Sequence, residues 1–255
     1  MPLWALTFAD KFGDEMIAAI VPAHNEANTI EACIKAVLRA LCHPDLKNEE
    51  SMVIVVADAC DDATGSIARE LGANVLATGA RNVGIARREG ARVAIERGAR
   101  WLAFTDADTV VCPDWLVQQM ACESDAVCGV VSVEDWSAHN NAVRRDFAAT
   151  YRDADGHRHI HGANLGVSAA AYLRAGGFPP FETSEDVALV EALLANGEKV
   201  AWSAAARVVT SARVDFKAPA GFGATLLKRA RQCAAPLLGE TEIAELDEPA
   251  IAVAS

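Results

Sequence analysis

Long apolar runs are missing from this chain of 255 residues, although 52% of them are hydrophobic. No stretch approaches the roughly 20 apolar residues that a membrane-spanning helix needs, which argues against an integral membrane segment. Basic residues are scarce. Lys and Arg number 23 against 35 Asp and Glu, giving a formal net charge of -12. A general binder of nucleic acid or of an anionic membrane needs a basic face, and this balance argues against both. The chain has no C-x-x-C pair and an odd number of cysteines: Cys33, Cys42, Cys60, Cys112, Cys122, Cys128 and Cys233. Most lie in apolar periodic stretches, where a free thiol acts as a small hydrophobe. The expectation is a reducing compartment and no zinc site. No charged-then-apolar leader is visible either, since Phe8 to Glu15 is polar and acidic, so a cytoplasmic protein is expected.

What is present is an alternation. Met16 to Val21 is a short uncharged apolar run, as expected of a strand buried on both faces of a parallel sheet. The turn Pro22-Ala23-His24-Asn25-Glu26 follows, and then Ile30, Ile34, Val37, Leu38 and Leu41 recur at helical spacing. Asn28 and Glu31 offer that helix a capping-box start. Met52 to Ala57 reads as a second strand, running into Asp58-Ala59-Cys60-Asp61-Asp62 and a short helix stopped by Gly72. A third strand covers Asn74 to Ala77. The next helix, from Val83 to Arg97, carries Ala86, Gly90 and Ala94 four apart, a small-residue stripe suited to close packing. Trp101 to Phe104 is the fourth strand.

Alternating strands and helices imply right-handed βαβ units, a parallel sheet and an α/β fold. Ligands of such sheets bind beyond the carboxyl ends of the strands. Three polar loops, Pro22–Glu26, Asp58–Asp62 and Asp106–Asp108, are expected at that edge. The second half is less regular. Val127 to Glu134 and His159 to Val167 read as strands, Ser168 to Ala175 as a short helix, and Ser184 as the cap of a helix reaching Asn196. Val200 to Ala204 and Val208 to Arg213 read as two short strands. His157, His159 and His161 alternate and could face one side of a strand as metal ligands; Arg158 between them and the lack of a second cluster count against that.

The strongest chemical signal is Asp106-Ala107-Asp108 directly after the fourth strand. On extended backbone, carboxylates one residue apart share a side. Held that close, they repel, and one is pushed toward protonation unless a cation intervenes. Mg²⁺ or Mn²⁺, bound by one or two carboxylates together with substrate phosphates, would resolve the conflict.

Taken in order, these segments resemble the inverting GT-A glycosyltransferases of family two, over roughly residues 16 to 215. The likeness rests on Pro22-Ala23-His24-Asn25-Glu26, Val55 to Thr64, Ala86-Arg87-Arg88-Glu89-Gly90, Asp106-Ala107-Asp108, Gly162-Ala163-Asn164, Gly176-Gly177-Phe178 and Glu185-Asp186. Two positions depart from the family pattern: Ala57 replaces an aspartate and Arg88 an asparagine. A Q-x-x-R-W element, which polymer-forming members carry, is also missing, so transfer of single sugars is implied.

The resemblance implies a GT-A fold, a Rossmann-like and mostly parallel sheet flanked by helices, with a smaller mixed acceptor-side portion. It divides the chain into an N-terminal extension (1–15), a nucleotide-sugar-binding half (16–110), an acceptor half (111–215) and a C-terminal helix with an acidic tail (216–255). It implies a nucleoside-diphosphate sugar as donor, UDP rather than GDP. The acceptor is a small molecule, a glycan or a lipid-linked hydroxyl, and self-association is left open. Pro22, Ala23, Asn25, Glu26, Asp58, Arg87, Asp106, Ala107, Asp108, Gly162, Asn164 and Glu185 are the implied donor-site residues. Asp106 and Asp108 would hold Mn²⁺ or Mg²⁺, with Asp108 the more direct ligand, and Asp186 would be the general base. In an acidic chain, positive charge for a diphosphate must come from a metal, an arginine such as Arg87 or a helix N-terminus. Asp58 could accept a hydrogen bond from a uracil N–H or serve as a helix N-cap.

Other readings are carried alongside. A nucleotide-sugar-binding GT-A protein without transferase activity would keep the same pocket. A phosphatase using D-x-D should carry that motif after its first strand, not its fourth. A sugar nucleotidyltransferase should open with a glycine-rich loop, and a dinucleotide oxidoreductase with G-x-G-x-x-G after the first strand. Neither loop is here.

Overall fold

The computed structural model describes residues 16–214 and 222–234. The expected N-terminal extension and the acidic tail lie outside the described residues. The first half alternates as its hydrophobic pattern requires: β1 (Met16–Ala23), α1 (Ile30–Leu41), β2 (Glu50–Asp58), α2 (Thr64–Glu70), β3 (Asn74–Thr78), α3 (Val83–Glu96) and β4 (Ala99–Phe104). The second half continues with β5 (Thr109–Val111), α4 (Trp115–Ala121), β6 (Ala126–Ser132), α5 (Asn141–Thr150), β7 (Leu165–Ser168), α6 (Ala169–Arg174), α7 (Glu185–Ala195), β8 (Val200–Thr210) and α8 (Phe222–Ala234).

All eight strands form one sheet in the order β3-β2-β1-β4-β7-β6-β8-β5. Strands β3, β2, β1 and β4 are parallel, whereas β7 runs antiparallel to both β4 and β6. The strand order reverses between β1 and β4, and a doubly wound sheet opens its ligand crevice at such a point. Helices cover both faces. One core packs α1 and α4 against the sheet through Ile30, Ile34, Val37, Trp115 and Leu116. The other packs α3, α6 and α7 through Ala86, Ala94, Tyr172, Leu189 and Leu193.

The small-residue stripe on α3 has a direct cause. A Cβ on Gly90 would sit 2.5 Å from Ile20 Cγ2, so only glycine lets this helix lie so close to β1. The same approach brings the N-terminal end of α3 over the carboxyl ends of β1 and β2.

Several local expectations give way. Helix α1 starts at Ile30 with Thr29 at the cap position, and Thr29 Oγ1 bonds back to Glu26, so Asn28 and Glu31 form no capping box. Ser184 stands before α7 but has φ of 62° and makes no side-chain cap; the Asp186 carboxylate accepts from Val187 N instead. The two strands expected after Val200 are one, β8, whose register against β6 shifts between Gly129 and Val130. Strand β7 begins at Leu165 rather than His159, because the histidines before it are used differently. The expected boundary between residues 110 and 111 falls inside β5, which pairs with β8.

Candidate functional site

The first two loops of the crevice wall are laced together. His24 Nδ1 is 2.7 Å from Asp58 O, and Asn25 Oδ1 accepts from Asp61 N at 2.9 Å. Asn25 N donates to Cys60 Sγ, whose thiol donates to Ala23 O. Glu26 N donates to Thr64 Oγ1, and Ala27 N to Asp62 Oδ2. Asn25 and Ala59 take left-handed backbone with φ near 50°, a conformation asparagine tolerates better than most residues. Pro22 and Ala23 lie within β1, where both are buried, and Ala23 O accepts from the Cys60 thiol.

Asp58 ends β2 at 4% exposure. Its two carboxylate oxygens accept from Arg81 N at 2.9 Å and Asn82 N at 2.7 Å. These bonds tie the end of β2 to the loop ahead of α3, and Asp58 is not the N-cap of α2, whose cap position is Ala63. Asn82 is the N-cap of α3, its side chain accepting from Ile85 N.

Asp106 and Asp108 stand in the turn between β4 and β5, not on extended backbone. Strand alternation is therefore not what aims them; their partners are. Ala107 between them is in the core at 3% exposure. Asp106 Oδ1 accepts from Arg87 Nη2 at 2.5 Å, and its backbone oxygen accepts from Thr109 N and Cys33 Sγ. Asp108 Oδ2 lies 3.2 Å from Arg213 Nη2. Burial, then Asp106, pushes the Asp108 carboxyl up to about 6, with Glu26 adding to the rise and Arg213 opposing it. The anticipated repulsion is present, and a cation beside Asp108 would relieve it.

Arg87 was expected to face the diphosphate. Instead it is a strut beneath the site, 3% exposed. One arm of its guanidinium reaches Asp106 and the other Glu185, itself 4% exposed. Gly162 lies against it so closely that a Cβ there would fall 2.4 Å from Nη2. Glu185 is therefore the partner of Arg87, and burial raises its carboxyl against the lowering effect of that arginine. One residue on, Asp186 Oδ2 accepts from Gly162 N at 2.7 Å, which orients the carboxylate beside the Gly162 segment.

Asn164 is a correction. Its side chain is fully buried, donating to Val130 O and Ala206 O and accepting from Trp115 Nε1, each at 2.8 Å. It fills the gap where the β6–β8 register shifts and presents nothing to the crevice. The histidines also resolve. Tyr151 and His159 stack at 4.1 Å, His159 and His157 at 5.3 Å, and His161 Nε2 is 3.1 Å from the Tyr151 hydroxyl. They form an aromatic column. Among the described residues no group of three or more His, Cys, Asp or Glu side chains could hold a metal by itself.

Arg213 was not singled out from the sequence. It follows β8, and the Thr109–Thr210 pairing brings that end beside the aspartate turn. Its guanidinium engages Glu26 through both arms, at 2.8 and 2.5 Å, as well as Asp108. The available signal was a basic residue just past a strand end in an acidic chain.

For a divalent ion, the donor set at this turn is two carboxylates, hard oxygen ligands that each already face a guanidinium, Asp106 that of Arg87 and Asp108 that of Arg213. Such oxygen donors suit Mg²⁺ or Mn²⁺ completed by phosphate oxygens.

The family model described as Glycosyl transferase family 2 matches residues 18–173. No curated protein sequence matches the chain significantly. Among solved structures, S. aureus TarS is similar at a TM-score of 0.59 and 16% identity, over 88% of this chain and 40% of TarS. TarS residues 1–349 in complex with UDP-GlcNAc align at 0.59 and 15%, over 88% and 67%. The mannosyltransferase PcManGT of Pyrobaculum calidifontis, in complex with GDP-Man and Mn²⁺, aligns at 0.60 and 19%, over 92% and 77%. At these identities the likeness is one of fold. The chain spans 40% of the TarS chain in the first of these structures. No helix among the described residues is long and apolar enough to cross a membrane.

Proposed function

The chain belongs to glycosyl transferase family 2, and from that premise we propose that it moves a single sugar from a nucleoside-diphosphate donor, UDP-linked rather than GDP-linked, to an acceptor hydroxyl with inversion. One observation carries the reading: the Asp106–Asp108 turn sits at the sheet's switch point, with Asp108 buried in surplus negative charge. The two complexes above, one with UDP-GlcNAc and one with GDP-Man and Mn²⁺, support a donor of this class.

Asp106 and Asp108 would hold the ion, which when bound supplies Lewis-acid stabilisation of the leaving diphosphate. The remaining work falls to the chain. Arg87 fixes Asp106 from beneath, and the laced loops at Asn25 and Cys60 form the wall against which the nucleoside rests. Asp58 holds that wall to α3. Asp186 takes the acceptor proton as C1 is attacked on the face opposite the departing diphosphate. Its two accepted N–H bonds, from Gly162 and Val187, hold the carboxylate in one orientation, as a general base requires.

Asp186→Asn tests this directly. The variant keeps size and shape but cannot accept a proton. Donor binding should be unchanged, and turnover should fall about 10²–10⁴-fold. NMR of the first-formed glycoside should show the anomeric configuration opposite to the donor's. A retained configuration refutes single displacement, and near-normal turnover removes Asp186 from the chemistry.

A further inference from the structure

Two guanidinium groups touch the Asp106–Asp108 turn among the described residues. They are placed very differently. Arg87 has 4% side-chain exposure and is locked between two carboxylates; Arg213 has 25% and lies on the solvent side. Arg213 reaches Glu26, at the end of the first crevice loop, and Asp108, in the metal-binding turn of the proposed site, so one positive charge satisfies carboxylates from both. Glu26 does not depend on it alone, since Thr29 Oγ1 donates to Glu26 Oε2 at 3.0 Å. Asp108, with 16% side-chain exposure, faces the Arg213 guanidinium at 3.2 Å.

We propose that Arg213 is a resident counter-cation of the donor site, neutralising Asp108 and Glu26 in the free protein and yielding Asp108 to an incoming divalent ion, whereupon its guanidinium turns to the donor's diphosphate. The inference rests on reading the crevice as a nucleoside-diphosphate site. Its physical basis is exclusion. A divalent ion held by the two aspartates repels both guanidinium groups in a partly buried site; Arg87 is buried and pinned by Glu185, so it stays on Asp106, and Arg213, on the solvent side, is the group that can give way. Its guanidinium must then leave Asp108, and the fork that fits a carboxylate also fits a phosphate. Arg213 therefore opposes the bare ion and assists the ion that arrives with a diphosphate, which discriminates between loading by metal alone and loading by the metal–donor pair.

The consequence is a pair of effects of opposite sign. Mn²⁺ binding without nucleotide is read from the free-ion EPR signal, and UDP binding in saturating Mn²⁺ by calorimetry. Arg213→Ala should bind Mn²⁺ more tightly, by roughly tenfold or more given one close charge removed. The same variant should bind UDP–Mn²⁺ more weakly, by about fivefold or more, for loss of a charge-assisted phosphate contact. Arg213→Lys, retaining the charge without the fork, should lie between wild type and alanine on both measures. A structural role alone would weaken both together, and that outcome overturns the proposal. So does an unchanged Mn²⁺ affinity. Wild-type protein that binds no UDP with any metal refutes the donor reading itself; UDP binding indifferent to position 213 refutes this inference alone.

Discussion

Replacing Arg87 with methionine removes the charge that stands between Asp106 and Glu185 while keeping much of the side chain's length. The two carboxylates respond differently. Asp106 keeps 34% side-chain exposure, so water can solvate it, whereas Glu185 has 5%. Removing one partner of a buried ion pair costs roughly 3–5 kcal/mol, because the other charge is left uncompensated. With one of the two orphans hydrated, the lower end applies, about 3 kcal/mol. For a fold of this size that corresponds to a fall in Tm of roughly 6–12 °C. The deficit has a pH signature. Burial already raises the Glu185 carboxyl, and Arg87 is the largest influence holding it down, so the variant's Glu185 titrates higher still. A carboxyl raised in the folded state contributes stability at low pH and loses it as pH rises through its folded value. The deficit should thus be smaller at pH 5 than at pH 8. Adding Glu185→Leu should restore most of the loss, since no buried charge is then left unpaired. Urea unfolding of the wild type, the single and the double variant at both pH values measures all three quantities. A single-variant deficit below about 1 kcal/mol at both pH values would refute the buried strut. A double variant as unstable as the single one would assign the loss to packing around Gly162 and Phe178 instead.

Asp58→Ala should destabilise the protein by about 2–3 kcal/mol in denaturant unfolding, since two backbone N–H groups lose a charged acceptor; an unchanged midpoint contradicts its role in holding α3. His161 is kept neutral, pushed down to about 3 by burial and by its neighbours His159 and His157. A base depressed in the folded state stabilises above its unfolded pKa and loses that contribution as pH falls toward the folded one. Between pH 7 and pH 5 this group should therefore cost the wild type roughly 1–2 kcal/mol, and His161→Phe should flatten the dependence of Tm on pH; parallel curves would assign the acid sensitivity elsewhere. Gly90→Ala should cost about 1–3 kcal/mol by overpacking α3 on Ile20, and a neutral result in thermal unfolding would show that the helix can shift.

The sequence is most legible where the fold is most periodic. Residues 17–23 of β1, 53–57 of β2 and 101–104 of β4 are uncharged and buried, and α1 and α3 repeat at helical spacing, so the parallel half and its loops are legible from pattern alone. Strand β5 has three residues and α4 seven, too short for a period to emerge from the sequence. Strand β7 starts at Leu165, later than the His159 that the sequence suggests, because the rings of His159 and His161 stack on Tyr151. In the crevice, residue types could be read but not their partners. Asp106 and Asp108 were evident as a pair, whereas the burial of Arg87 and the reach of Arg213 to Glu26 depend on contacts between segments far apart in the chain. Asn164 illustrates the limit: a motif position next to the site proved to be filled by a core amide, for which the cue is a β-sheet irregularity invisible in the sequence.

The account stands most directly on nucleotide binding at the Asp106–Asp108 turn, measured as the thermal shift produced by UDP and by GDP with Mn²⁺ and with EDTA. Ligand at about 100 times its Kd should stabilise the protein by about 2.7 kcal/mol. The predicted result is a shift with UDP that is larger with Mn²⁺ than with chelator, and whose metal-dependent part disappears in Asp108→Ala. Equal shifts with and without the ion, or an undiminished metal-dependent shift in Asp108→Ala, would contradict the central claim.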